Sequence, residues 1–146
     1  VESDECGGIS ILKKAYPDVT VICGELAARE LPGYGYTGVI QKKKGGETFT
    51  DGELKLKFVD YPSEVHLQNG ILCFEENSGI LYSGDIALRF GNGVGETIKG
   101  SWIDEVNAID AERVPNEKAL AEFKEDLKAI SPNLIAVGHG FCIDCR

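Results

Sequence analysis

Two short apolar runs, Ile71-Leu72-Cys73-Phe74-Glu75 and Ile80-Leu81-Tyr82-Ser83, are separated by the polar tetrapeptide Glu76-Asn77-Ser78-Gly79. The pattern reads as two strands and a turn. Neither run alternates between apolar and polar positions. Strands that are apolar on both faces belong inside a sheet covered on both sides, so both are expected deep in a sheet rather than at its edge. A hairpin of this size returns its two ends to one rim. His66 precedes it and Asp85 follows it, which places an imidazole and a carboxylate side by side there, as a metal site requires. The plain alternative is that both are ordinary loop residues.

A second strand-to-loop junction carries similar information. Leu134 to Val137 is a buried strand by composition, and it runs directly into Gly138-His139-Gly140. Glycines on both sides of a histidine let the backbone approach a ligand closely, so His139 is a candidate metal ligand. Before this strand lies the strongest helix signal in the chain. Asn116 is placed to cap it, and Leu120, Phe123, Leu127 and Ile130 form one apolar stripe, ended by Ser131-Pro132-Asn133.

The N-terminal half alternates short elements. Ile9, Ile11, Leu12 and Ala15 predict a helix closed by Tyr16-Pro17, Val19 to Cys23 a buried strand, and residues 24–31 a second helix stopped by Pro32-Gly33. Residues 33–46 read as a loop ending in the solvated patch Lys42-Lys43-Lys44. Residues 47–50 and 54–60 predict a hairpin turning at Asp51-Gly52. There Leu54, Leu56 and Phe58 alternate with Lys55, Lys57 and Val59, one face buried and one wet. The glycine-rich run 90–95 reads as a mobile loop near the site, lid-like, packed down by Trp102 and Ile103; its spacing is not that of a dinucleotide-binding turn.

Composition excludes several functions. With 146 residues and 42% hydrophobic content, the chain has material for one domain with a core. A net charge of −9 disfavours nucleic acid and anionic membranes as partners, and no apolar run is long enough to span a bilayer. Five cysteines suggest no disulfide framework and a reducing, cytoplasmic setting. Cys142-x-x-Cys145 is half of an iron or zinc site, a redox dithiol, or an exposed pair with no role. Near the start, Glu2, Asp4 and Glu5 cluster before Gly7-Gly8; acids favoured at a helix N-terminus are the plain reading. The chain opens on Val1, and an upstream segment is the expectation.

Together these pieces resemble the di-iron domain of flavodiiron proteins and the related oxygen-binding di-iron proteins. The resemblance implies an α/β, α+β-layered fold: the C-terminal portion of a metallo-β-lactamase-like αββα sandwich, as a single, apparently N-terminally incomplete domain over 1–146. The family motif reads His-x-Glu-x-Asp-His-x-Gly-Gly, then a histidine, an aspartate after a hairpin, and Gly-His-Gly. Glu2 and Asp4 fall on its carboxylates, Gly7-Gly8 on its glycines, and His66, Asp85 and His139 on its later ligands. The implied metal set is therefore Glu2, Asp4, His66, Asp85 and His139. Two departures stand out. The motif's first histidine would precede Val1, and Glu5 occupies the place of its second, which in some flavodiiron domains does not bind metal.

The resemblance implies two non-haem irons, with zinc or manganese as alternatives, since carboxylates and imidazoles suit hard cations. Asp85 is the candidate bridge between metals roughly 3.5–4 Å apart. The implied function is binding or reduction of O2 or NO. The chain stops at Arg146 without a flavin domain, so a sensor, or a reductase served by a separate redox partner, is expected; a homo-oligomer is a further option. A hydrolase of the metallo-β-lactamase superfamily and a metal-free degenerate domain are the alternatives.

Overall fold

A computed structural model describes residues 6–62, 70–87, 89, 91–93 and 95–146. Among them, Ile9–Ala15 (α1), Thr20–Cys23 (β1), Glu25–Glu30 (α2) and a 3-10 turn at Leu31–Tyr34 are followed by β2 (Val39–Lys42). A run of strands then gives β3 (Thr48–Asp51), β4 (Leu54–Asp60), β5 (Ile71–Glu75), β6 (Ile80–Gly84) and β7 (Thr97–Lys99). Helices α3 (Trp102–Ala108) and α4 (Glu117–Lys128) lead to β8 (Leu134–Val137) and β9 (Cys142–Asp144). Strands β1 and β2 pair in parallel as a two-stranded sheet, and the remaining strands form a seven-stranded sheet in the order β3-β4-β5-β6-β8-β9-β7.

The hairpin β5–β6 lies in the interior of this sheet, as its apolar sequence requires. Its turn is held by the Glu75 carboxylate, which accepts from the Asn77 N–H at 3.1 Å and the Ser78 N–H at 2.7 Å, and also from the Ser78 hydroxyl. Gly79 closes the turn at φ +69°, a backbone region that costs other residues about 1–2 kcal/mol. The β3–β4 hairpin is one residue out of the expected register. Asp51 pairs with Leu54, so the loop residues are Gly52 and Glu53, and glycine takes the left-handed first position at φ +58°.

Two side-chain predictions need correction. Along β4 both Phe58 and Val59 are buried while Leu54 is 42% exposed, so burial changes along the strand rather than between its faces. The cause is the central end of β4, which lies beside β5. On β6, Leu81 is fully buried but Tyr82 is 51% exposed, so only one face of that strand is sealed. Phe58, Cys73, Tyr82 and Ala136 form one cross-strand row, and along it Phe58 is buried whereas Tyr82 faces solvent.

The sealed face carries the core. Val59, Leu72, Phe74, Leu81, Ile135 and Ile143 from the sheet pack with Trp102, Val106, Phe123 and Leu127 from the two helices and with Ile130 just past the second. Each such side chain contributes roughly 1.5–3 kcal/mol on burial. Helix α4 begins as expected: Asn116 Oδ1 accepts from the Ala119 N–H at 2.9 Å, satisfying one of the first-turn donors. Trp102 is tied to the helical layer. Its indole Nε1 donates to the carbonyls of Leu127 at 3.1 Å and Ile130 at 3.0 Å, which ties α3 to the end of α4, while Ile103 is 52% exposed. Close to Gly91 and Gly93 the ring that packs is Phe141.

Candidate metal centre

The site is built where two neighbouring strands end. Strands β6 and β8 are parallel and adjacent, with Gly84 opposite Val137 after an irregularity at Tyr82/Gly84. Their C-terminal ends therefore open on the same rim, the usual place for ligands in parallel segments of α/β sheets. Asp85 leaves β6 there and Gly138-His139-Gly140 leaves β8. His139 Nε2 stands 3.6 Å from Asp85 Oδ1. That is longer than a hydrogen bond. Two ligands held about 2.0–2.2 Å from one tetrahedral cation lie roughly 3.4 Å apart by the same geometry, so the pair is spaced as ligands are.

Glycines make this approach possible. A Cβ on Gly138 would lie 2.6 Å from Asp85 Oδ1 and 3.0 Å from the Gly84 carbonyl oxygen. The Gly138 N–H donates to that carbonyl at 2.8 Å. At Gly140 the backbone is left-handed, φ +91°, and a Cβ would fall 1.3 Å from the Arg89 carbonyl oxygen. Only glycine fits either place. Asp85 is 16% exposed and His139 49%, so the carboxylate is sheltered while the imidazole reaches the surface.

Main-chain and side-chain bonds hold both candidates from behind. The Arg89 N–H donates to the His139 carbonyl at 3.2 Å, and the Phe141 N–H donates to the Arg89 carbonyl at 3.3 Å. Arg89 itself pairs through its guanidinium with Glu105 of α3. Arg113 donates from Nη1 to the Asp85 carbonyl at 3.3 Å. The Tyr61 hydroxyl donates to the Ser83 carbonyl at 3.3 Å, and the Tyr61 N–H to the Gly70 carbonyl at 2.9 Å, bracing the rim between β4 and β6. Arg89, Arg113 and Tyr61 carry no sequence signal of this role. Each acts on a backbone carbonyl brought near only by the fold.

Of the five candidate ligands, the structure brings Asp85 and His139 together. Glu2, Asp4 and His66 lie outside the described residues. Among the described residues, no group of three or more His, Cys, Asp or Glu side chains could hold a metal ion. Cys142 and Cys145 are not an exposed pair: both are half-buried, and Cys142 lies on β9, inside the sheet. Residues three apart along an extended chain point to opposite faces, which argues against a shared ion or a dithiol. Burial pushes the Cys145 thiol upward, aided by Glu105 and Asp144. No helix among the described residues is long and apolar enough to cross a membrane.

No family model matches the sequence, and no curated protein matches it. Solved structures do match. The metal-soaked Flv1 flavodiiron core from Synechocystis aligns at TM-score 0.73 and 20% identity, over 99% of this chain and 38% of its own. Rubredoxin oxygen:oxidoreductase from Desulfovibrio gigas aligns at TM-score 0.64 and 18% identity, over 95% of this chain and 37% of its own. The peroxy diiron species of the chemotaxis sensor ODP aligns at TM-score 0.65 and 18% identity, over 99% of this chain and 62% of its own. The chain thus spans less than two thirds of the length of each. With seven strands in one sheet among the described residues, helices α3 and α4 on its sealed face, and the Asp85 and Gly138-His139-Gly140 turns on one rim, the chain has the metallo-β-lactamase-like fold of the flavodiiron cores.

Proposed function

We propose that this chain is a non-haem di-iron domain that binds O2 or NO and, when supplied with electrons, reduces it. The observation that carries the reading is the convergence of Asp85 and His139, 3.6 Å apart at the ends of adjacent parallel strands. Flavodiiron cores, an oxygen oxidoreductase and a di-iron sensor among its structural neighbours support the same chemistry.

Glu2, Asp4, His66, Asp85 and His139 would hold the metals. Three carboxylates with two imidazoles are a hard donor set that suits iron or manganese, with zinc as the alternative. When bound, the metal pair supplies the redox chemistry toward O2 or NO. The chain's own part is positional. Asp85 offers a sheltered carboxylate, and its backbone is fixed by Arg113. His139 offers Nε2, with its carbonyl held by Arg89 and its flanks cleared by glycine. Orienting partners of this kind matter to a metal site nearly as much as the ligands. None of the five side chains stores electrons, so sustained reduction needs an electron source beyond them, whereas sensing does not.

The test is anaerobic reconstitution with ferrous iron, then a metal count and a visible spectrum before and after O2 or NO. About two irons per chain with a gas-dependent absorption band is the expected result. Two zincs with phosphodiesterase turnover would replace the proposal with the hydrolase reading, and failure to retain any metal would leave a scaffold domain.

A further inference from the structure

Behind the Asp85 loop lies a cleft of about 120 Å³ that the proposed di-iron chemistry does not use. Its apolar walls include Ile86, Ala87 and Ile109, and its polar lining is Arg89, Arg113 and Glu105. The three apolar residues are buried, so the surface the cleft presents is largely that of its polar groups. Arg89 and Glu105 are paired, and the Glu105 side chain is only 10% exposed. Arg113 is different. Its one side-chain hydrogen bond to a described residue runs from Nη1 to the Asp85 carbonyl, and it forms no ion pair with a described residue. In the same turn, the Asp110 carboxylate accepts from the Glu112 N–H at 2.9 Å.

From this arrangement we infer that the cleft is a binding site for a small planar oxyanion of the carboxylate type, held by Arg113. The charges add up to that class. Two guanidinium groups and one carboxylate leave a net charge of +1 inside a chain whose total is −9, so one monoanion neutralises the cleft. A guanidinium presents a planar fork that matches two oxygens on one edge, and such bidentate pairs are the strong, directional form of the ion pair. Nη1 is engaged with the Asp85 carbonyl, and the remaining N–H groups of Arg113 are the donors for the anion. At about 120 Å³ the cleft has room for an anion of formate or acetate size. Glu105 opposes the anion and Arg89 offsets that opposition, so the pair tunes affinity while Arg113 supplies it.

The site is tested on chelator-treated, metal-free protein, where an anion has no iron to bind; the result is therefore separate from that of the di-iron proposal. Amide and arginine Nε–H shifts are followed by NMR during titration with formate, acetate and bicarbonate at constant chloride and ionic strength. Saturable shifts centred on Arg113, Ala108 and Ile109 are expected. Arg113→Ala should weaken binding roughly tenfold or more, as loss of a charge-assisted pair does, Arg113→Lys should lose less, and Glu105→Gln should tighten it. Shifts that do not saturate, that centre elsewhere, or that persist unchanged in folded Arg113→Ala would overturn the assignment. The wild-type map decides the matter even where a variant does not fold.

Discussion

His139 Nε2 and Asp85 Oδ1 meet at 3.6 Å although they follow different strands, because β6 and β8 run parallel side by side and end together. If both are ligands, His139→Ala and Asp85→Asn should each lower the iron retained after reconstitution, from about two per chain towards one or none, without loss of secondary structure. Iron quantification beside far-ultraviolet circular dichroism checks this. Full iron retention in both variants would remove them from the site.

Glycine at position 140 is required for two reasons, and a comparison with Gly46 separates them. Both are left-handed, φ +91° and φ +80°, but a Cβ on Gly46 meets nothing within 4 Å, whereas one on Gly140 collides with the Arg89 carbonyl. Gly46→Ala should cost about 1–2 kcal/mol, the backbone term alone. Gly140→Ala should cost more and also displace His139, reducing metal retention. Urea midpoints and metal counts on the two variants report each effect.

Trp102 closes the helical layer through its indole N–H, shared between the Leu127 and Ile130 carbonyls. Trp102→Phe keeps an aromatic ring but leaves both buried acceptors without that donor. The expected loss is about 1–3 kcal/mol, read as a lower urea midpoint at an unchanged slope.

The turn carboxylate of Glu75 is held down to about 2, chiefly by the Ser78 hydroxyl and then by the Ser78 and Asn77 N–H groups. A carboxylate whose folded value lies below its unfolded one stabilises the fold above the unfolded value, and that contribution disappears as pH falls through the folded value. The Glu75 contribution should therefore be complete above about pH 5 and vanish between there and about pH 2. Ser78→Ala should raise the Glu75 value, as followed by carbon NMR of its carboxyl group.

Cysteine chemistry should follow burial rather than motif. Burial, aided by the Glu75 charge, pushes Cys73 up to about 11, so it should alkylate far more slowly in the native protein at pH 8 than in urea. Three residues of extended chain place Cys142 and Cys145 about 10 Å apart, beyond the roughly 7 Å limit for a disulfide. Mild oxidation should leave this pair unlinked, as peptide mapping would reveal.

Elements with a strong local pattern were legible in the sequence. The β5–β6 hairpin, the Asn116-capped helix and the strand before Gly138-His139-Gly140 each have a polar turn, a cap or a glycine pair beside an apolar run, and each stands where expected. Elements without that contrast were not. Strand β2 lay hidden in a stretch read as a glycine and lysine loop, β7 has only the three residues Thr97–Lys99, and β9 was obscured by its cysteines. Short strands like these are stabilised by their neighbours, so their own residues carry little signal.

The candidate site divides along the same line. Residue types and chain order alone marked Asp85 and His139, because a carboxylate or an imidazole at a strand end, with glycine beside it, is a local property. The parallel pairing of β6 with β8 decided that the two face each other, and it placed Arg89, Arg113 and Tyr61 behind them. Those relations arise from strand order and register, which depend on how the whole apolar surface is buried. A linear pattern of side chains records which faces want to be covered, and tertiary packing alone determines what covers them.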